Sequence, residues 1–144
     1  MDTQNEMNTN RILLAGVAGG IAFFLLGFLL YGILLAKFFA ANQGTAQGVM
    51  KTPPEMWALI VGNLAWGFLL AIIFGRWAGI KNFATGAQAG AIIGGLVAFS
   101  VNFNMLGTTN VHTINSALVD VVVMAVISAI VGGVVGLVLG RSKV

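Results

Sequence analysis

The chain has 144 residues, of which 58% are hydrophobic and 8% charged, with no cysteine and 20 glycines. A soluble domain carries about 25% charged residues because its surface faces water, so this composition excludes an ordinary soluble domain and, more firmly, a disordered chain. The formal charge of +3 does not point to nucleic acid, because the seven Lys and Arg stand singly along the chain rather than in a cluster.

Residues 1–10 read as a polar tail, with Asn10 as the expected cap of a first helix over 11–38. Its centre, 12–36, holds no charged residue. A membrane-spanning helix needs about 20 mostly apolar residues, and a signal-peptide core is only about 7–15 residues long, so an uncleaved span is expected. Lys37, beside Phe38 and Phe39, reads as a snorkelling side chain at its end. A polar loop follows over 42–51.

Thr52-Pro53-Pro54-Glu55 reads as a capping box with proline in the first turn, opening a second helix over 53–76. Trp57 and Trp77 bracket it where indoles favour the interface. Asn63 is its one strongly polar member. Trp66 falls near its middle, where the indole N–H needs an internal partner. A third helix is expected over 83–104, carrying Thr85, Gln88, Ser100 and Asn102, and a fourth over 114–140, carrying Asp120 and Ser128. The fold expected is therefore an all-α, integral membrane four-helix bundle, with 11–144 as a single transmembrane domain.

Four spans put both termini on one side. That side holds Arg11, Arg76, Lys81, Arg141 and Lys143, against Lys37 and Lys51 on the other. The excess of cations places both termini in the cytoplasm, which makes this a multi-pass protein of a cell membrane, read as the bacterial inner membrane.

Lipid supplies no hydrophobic drive between helices, so close packing of small residues must replace it. At a spacing of four, the third helix shows Gly86, Gly90, Gly94, Ala98 and then Asn102. The fourth shows Gly140, Gly136, Gly132, Ser128, Met124 and then Asp120, and the second shows Gly75, Ala71, Gly67 and then Asn63. Residues four apart share one helix face, so each row is a GxxxG-type ridge that packs either within the bundle or against another chain. Gly16 and Gly20 form a shorter row in the first helix. The rows of the second and fourth helices match at a shift of 65, and those of the first and third at 70. A duplicated helical hairpin would produce this.

Each long ridge ends outward in a polar residue, so Asn63, Asn102 and Asp120 form the expected ligand-binding cluster, with Asn104 and His112 beside it. Antiparallel packing of the third and fourth helices brings Asn102 level with Asp120, where a hydrogen bond or shared water is expected. Asp120 is the only acidic residue inside a span. Such residues are costly in lipid and mark function by default, although a shallow carboxylate near a helix start also gains from the helix dipole.

His112, Ser116 and Asp120 lie four apart, but a triad needs His between nucleophile and acid, and here Ser stands between them. One His and one Asp among amides make a poor metal site. No catalytic residues, metal or cofactor are expected. His112 is expected in a loop.

Trp66-Gly67-Phe68, the glycine-rich stretch 86–95 and Leu118-Val119-Asp120 resemble a group of small bacterial four-helix membrane proteins classed as a domain of unknown function. The resemblance implies the same four-helix fold and supplies no activity. Two functions stay open. One is a homo-oligomeric binding or transport protein with an outward polar pocket. The other is a non-catalytic accessory or scaffold subunit, packing through glycine ridges with itself or with a partner membrane protein.

Overall fold

The computed structural model describes residues 8–141, which form an all-helical bundle. The tail residues 1–7 and Lys143 lie outside the described residues. Four helical stretches are long and apolar enough to cross a membrane: Thr9–Leu34, Met56–Ala78, Phe83–Thr108 and Ile114–Gly140.

The first span starts as α1, Thr9–Gly27. Asn8, not Asn10, caps it, its side chain accepting the Asn10 N–H at 3.1 Å. After Gly27 the helix continues as a π-helical segment, Phe28–Leu34, closed by Leu35 N–H donating to Leu30 O at 2.8 Å. This five-residue back-bond inserts an extra residue per turn. The chain breaks at Leu35 and resumes as α2, Ala36–Ala41. The expected continuous helix over 11–38 is thus two pieces.

The second span begins with α3, Met56–Ile72, and the expected capping box does not form. Glu55 occupies the cap position without a side-chain cap bond, because its carboxylate pairs with Lys51 instead. Residues before proline are steered out of helical backbone, which keeps Thr52 and Pro53 outside the helix. A second π-helical segment, Ile73–Ala78, ends at Gly79, whose φ of +63° is the left-handed conformation that glycine adopts cheaply at a helix end. Asn82 then caps the third span, α4 (Phe83–Thr108), by accepting the Thr85 N–H at 2.9 Å. This helix runs past its expected end at 104. The fourth span, α5 (Ile114–Gly140), opens on a reciprocal capping box between Thr113 and Ser116.

The core lies where α5 packs against α4 on one side and α1 on the other, while α1 also packs on α3. Val123, Ile127, Val131, Val135 and Leu139 of α5 join Ile12, Leu70 and Phe74 in one buried cluster. On the other side of α5, backbone meets backbone. A Cβ on Gly90 would strike the Ser128 carbonyl, and one on Gly132 would strike the Gly86 carbonyl. Gly94 lies against the Ser128 side chain, and Gly136 and Gly140 lie under the backbone of Asn82 and Lys81. Gly67 of α3 is pressed in the same way onto Gly16 and Gly20 of α1. Gly75 is buried in the second π-helical segment.

Outward-facing positions are apolar, among them Leu14, Ile21, Leu25, Ile92, Leu96 and Val122. Trp57 and Trp77 are 68% and 77% exposed, at opposite ends of their span. Arg76 Nη2 donates to Thr9 Oγ1 at 3.1 Å, and the Lys81 backbone sits on Gly140. The start of α1, the turn between α3 and α4 and the close of α5 therefore share one end of the bundle, called the terminal end below. The other, the loop end, holds 42–55 and 109–113. There Gly44 N–H donates to Val111 O and Ala46 N–H to Asn110 O, both at 3.0 Å, and Thr113 Oγ1 donates to Asn42 O at 2.8 Å.

Candidate functional site

Three spans converge on one carboxylate. Asp120 lies in the second turn of α5, roughly 9 Å from its start at 1.5 Å per residue. Its Oδ1 accepts the Tyr31 hydroxyl at 2.5 Å, and its Oδ2 accepts Asn102 Nδ2 at 2.5 Å. Both contacts are short. Asn102 is 4% exposed, and the same Nδ2 also donates to Ala98 O at 2.9 Å, so both its amide hydrogens are used. Asp120 and Tyr31 are half-buried.

Local sequence explains each placement. The α4–α5 glycine contact brings Asn102, at the end of its ridge, level with Asp120 at the end of the facing one. Tyr31 sits within the π-helical segment of the first span, which rotates the residues beyond Gly27 relative to an α-helical course. Its ring also packs on Phe39 of α2 at 5.3 Å between centroids.

The only ion pair among the described residues is Lys51–Glu55, so no cation compensates Asp120. Its two partners are a phenol and an amide, both neutral donors.

The structure brings Asn102 and Asp120 together and places the other expected residues elsewhere. Asn63 returns its Nδ2 to Leu59 O of its own helix at 2.5 Å. Its backbone faces α1, where a Cβ on Gly20 would come within 3.2 Å of Asn63 O. Asn104 is exposed and returns its Nδ2 to Ser100 O at 2.8 Å. His112 pairs through its backbone with Gln43 in the loop before α5, eight positions before Asp120. Ser116 is taken into the α5 cap, its hydroxyl donating to Thr113 O at 2.9 Å and accepting Thr113 N–H at 3.0 Å. Among the described residues no three His, Asp or Glu side chains gather as a metal site. Sequence reasoning missed Tyr31, whose signal was its being the only tyrosine in the chain, set in an otherwise apolar span.

Among the described residues two buried polar atoms have no partner: Trp66 Nε1 and Ser128 Oγ. The internal acceptor expected for Trp66 is not there; the ring packs against Phe23 at 5.8 Å. An open cavity of about 620 Å³ lies over residues 43–50 and Val111 at the loop end, away from Asp120. No family model, curated protein or solved structure matches the chain.

Proposed function

We propose that this is a non-catalytic, multi-pass membrane protein that binds or carries a small cationic solute at Asp120. The observation that carries the reading is the uncompensated carboxylate inside a span, held by neutral donors from two other spans. A carboxylate is costly at that depth and marks function by default. A cationic group entering from the loop end would supply the charge that the chain itself withholds. Tyr31 and Asn102 keep the carboxylate oriented until then. In this reading both termini are cytoplasmic, the loop end faces outward, and the protein works as a homo-oligomer in a bacterial inner membrane.

The pairing of α1 with α3 and of α4 with α5 agrees with a duplicated hairpin whose GxxxG ridges hold each pair. The accessory-subunit alternative draws on one observation. Ala58, Gly62 and Ala65 are exposed on α3, and Gly62 has open space beside it, a small-residue face that a partner helix can approach.

The test is thermal unfolding of the purified protein in detergent against sodium, potassium and methylammonium ions. A ligand that binds only the folded state raises its stability by mass action. At least one ion should raise Tm of the natural chain and leave Asp120→Asn unmoved. Equal response of both proteins to every ion overturns the binding reading, and a strict monomer by mass overturns the homo-oligomer.

A further inference from the structure

The terminal end of the bundle carries a second feature, independent of Asp120. Arg11, Arg76, Lys81 and Arg141 all lie there, and among the described residues none is in an ion pair. The two acidic side chains among the described residues, Glu55 and Asp120, are in the other half of the molecule. At the loop end, Glu55 neutralises Lys51 and leaves Lys37 alone. The structure therefore sharpens the charge asymmetry of the sequence, because the loop end loses one of its two cations to an ion pair. By sequence alone, Asp2 and Glu6 would offset only two of the five cations Arg11, Arg76, Lys81, Arg141 and Lys143.

The four cations form two pairs on one rim. Arg76 donates to Thr9 Oγ1 at 3.1 Å, which lays its guanidinium over the first turn of α1, the turn that holds Arg11. Lys81 packs its backbone onto Gly140, its Cα 3.4 Å from where a Cβ there would be, and so stands beside Arg141. The left-handed turn at Gly79 holds Arg76, Trp77 and Lys81 in one short connection, and Trp77 is exposed beside them. Indoles settle at headgroup depth, and guanidinium and ammonium groups match phosphate oxygens. The groups are spread along a rim, from the first turn of α1 through the α3–α4 turn to the close of α5, which suits a plane of headgroups better than one dissolved anion.

We infer that this rim is a docking surface for anionic phospholipid headgroups, which it selects over zwitterionic ones. The inference rests on the membrane reading but not on the solute site. Each Lys or Arg near an anionic leaflet is worth about fivefold in affinity, which is ~1 kcal/mol.

The experiment reconstitutes the full chain into vesicles of phosphatidylcholine mixed with phosphatidylglycerol, re-extracts it in mild detergent, and weighs the retained lipids by mass spectrometry. The natural chain should retain phosphatidylglycerol in excess of its share. Arg76→Gln/Lys81→Gln/Arg141→Gln should lose that enrichment by about tenfold or more. Arg76→Lys should keep it, which separates charge from the Thr9 contact, and Lys37→Gln/Lys51→Gln should leave it unchanged. Undiminished enrichment in the triple variant, or equal loss in the loop-end variant, overturns the inference. Resistance to alkaline extraction from pure phosphatidylcholine vesicles separates the two readings. A chain that inserts there and shows no enrichment refutes the headgroup surface alone, whereas a chain that fails to insert refutes the membrane reading with it.

Discussion

Replacing Asp120 by Leu removes the acceptor from two donors at once, and the structure sets the size of the effect. Asn102 keeps Ala98 O for one hydrogen, so a single amide hydrogen is orphaned at a side chain that is 4% exposed. Tyr31 is half-buried and loses its only hydrogen-bond partner among the described residues. A buried donor left without an acceptor costs about 1–3 kcal/mol in water-based proteins. Measured side-chain bonds between membrane helices average about 0.6 and reach about 1.7 kcal/mol, because the unfolded state in a membrane also finds partners. Two such bonds give an expected loss of about 1–3 kcal/mol for Asp120→Leu. Asp120→Asn keeps one acceptor oxygen for Asn102 and turns its NH2 toward the Tyr31 oxygen, which can accept as well as donate, and should cost less than about 1 kcal/mol. Removing all three polar groups, in Tyr31→Phe/Asn102→Leu/Asp120→Leu, leaves nothing unsatisfied and should recover most of the loss. Equilibrium unfolding by SDS titration in mixed micelles, followed by circular dichroism, reads all three. Equal tolerance of Asn and Leu at 120, or a triple variant worse than Asp120→Leu by the sum of its parts, refutes the clasp.

Two other contacts give sharp contrasts. Gly90→Ala places a methyl against the Ser128 carbonyl, with Ser128 C at 3.0 Å and Gly132 Cα at 3.1 Å; these are backbone atoms that cannot rotate aside, so α4 and α5 must part at a cost of about 1–3 kcal/mol. Gly62→Ala, in open space, should be neutral or stabilising by up to about 1 kcal/mol, and the same SDS titration should separate the two. Thr113→Ala removes the α5 cap and the bond to Asn42 O. It should cost about 1 kcal/mol and speed amide hydrogen exchange at Ser116 before the rest of α5.

The spans were legible because they depend on a large, simple quantity. About 20 apolar residues are needed to cross the bilayer, and each of the four segments meets that length with little or no charge. The ends were less legible, because caps are decided by competition. Asn10 and Asn8 are both able to cap α1, and the structure uses Asn8. Thr52 and Glu55 have the spacing of a capping box, yet Lys51 stands one turn before Glu55 and takes its carboxylate. The cap that does form, at Thr113, uses Ser116, and Ser at that position is not the Glu or Gln by which the motif is recognised. The π-helical segments left no trace at all, since their composition is that of any apolar helix.

The candidate site divides along the same line. Asn102 and Asp120 could be paired from the sequence because two ridges of small residues, antiparallel and at a spacing of four, leave little freedom in register. Asn63 ends a ridge of the same kind, but α3 packs on α1, so that ridge delivers it to Gly20 rather than to α5. Ridge patterns give the register of a contact without naming the partner helix, and here the partner decides which amide reaches the carboxylate. Tyr31 was hidden for the complementary reason. It lies on no ridge, and its approach to Asp120 comes through the π-helical turn of the first span, where the phase of an α-helical wheel no longer applies. A lone phenol and a lone carboxylate in separate apolar spans therefore carry information that spacing within either span does not. Each is costly to leave unpartnered in lipid, and in this fold they meet each other.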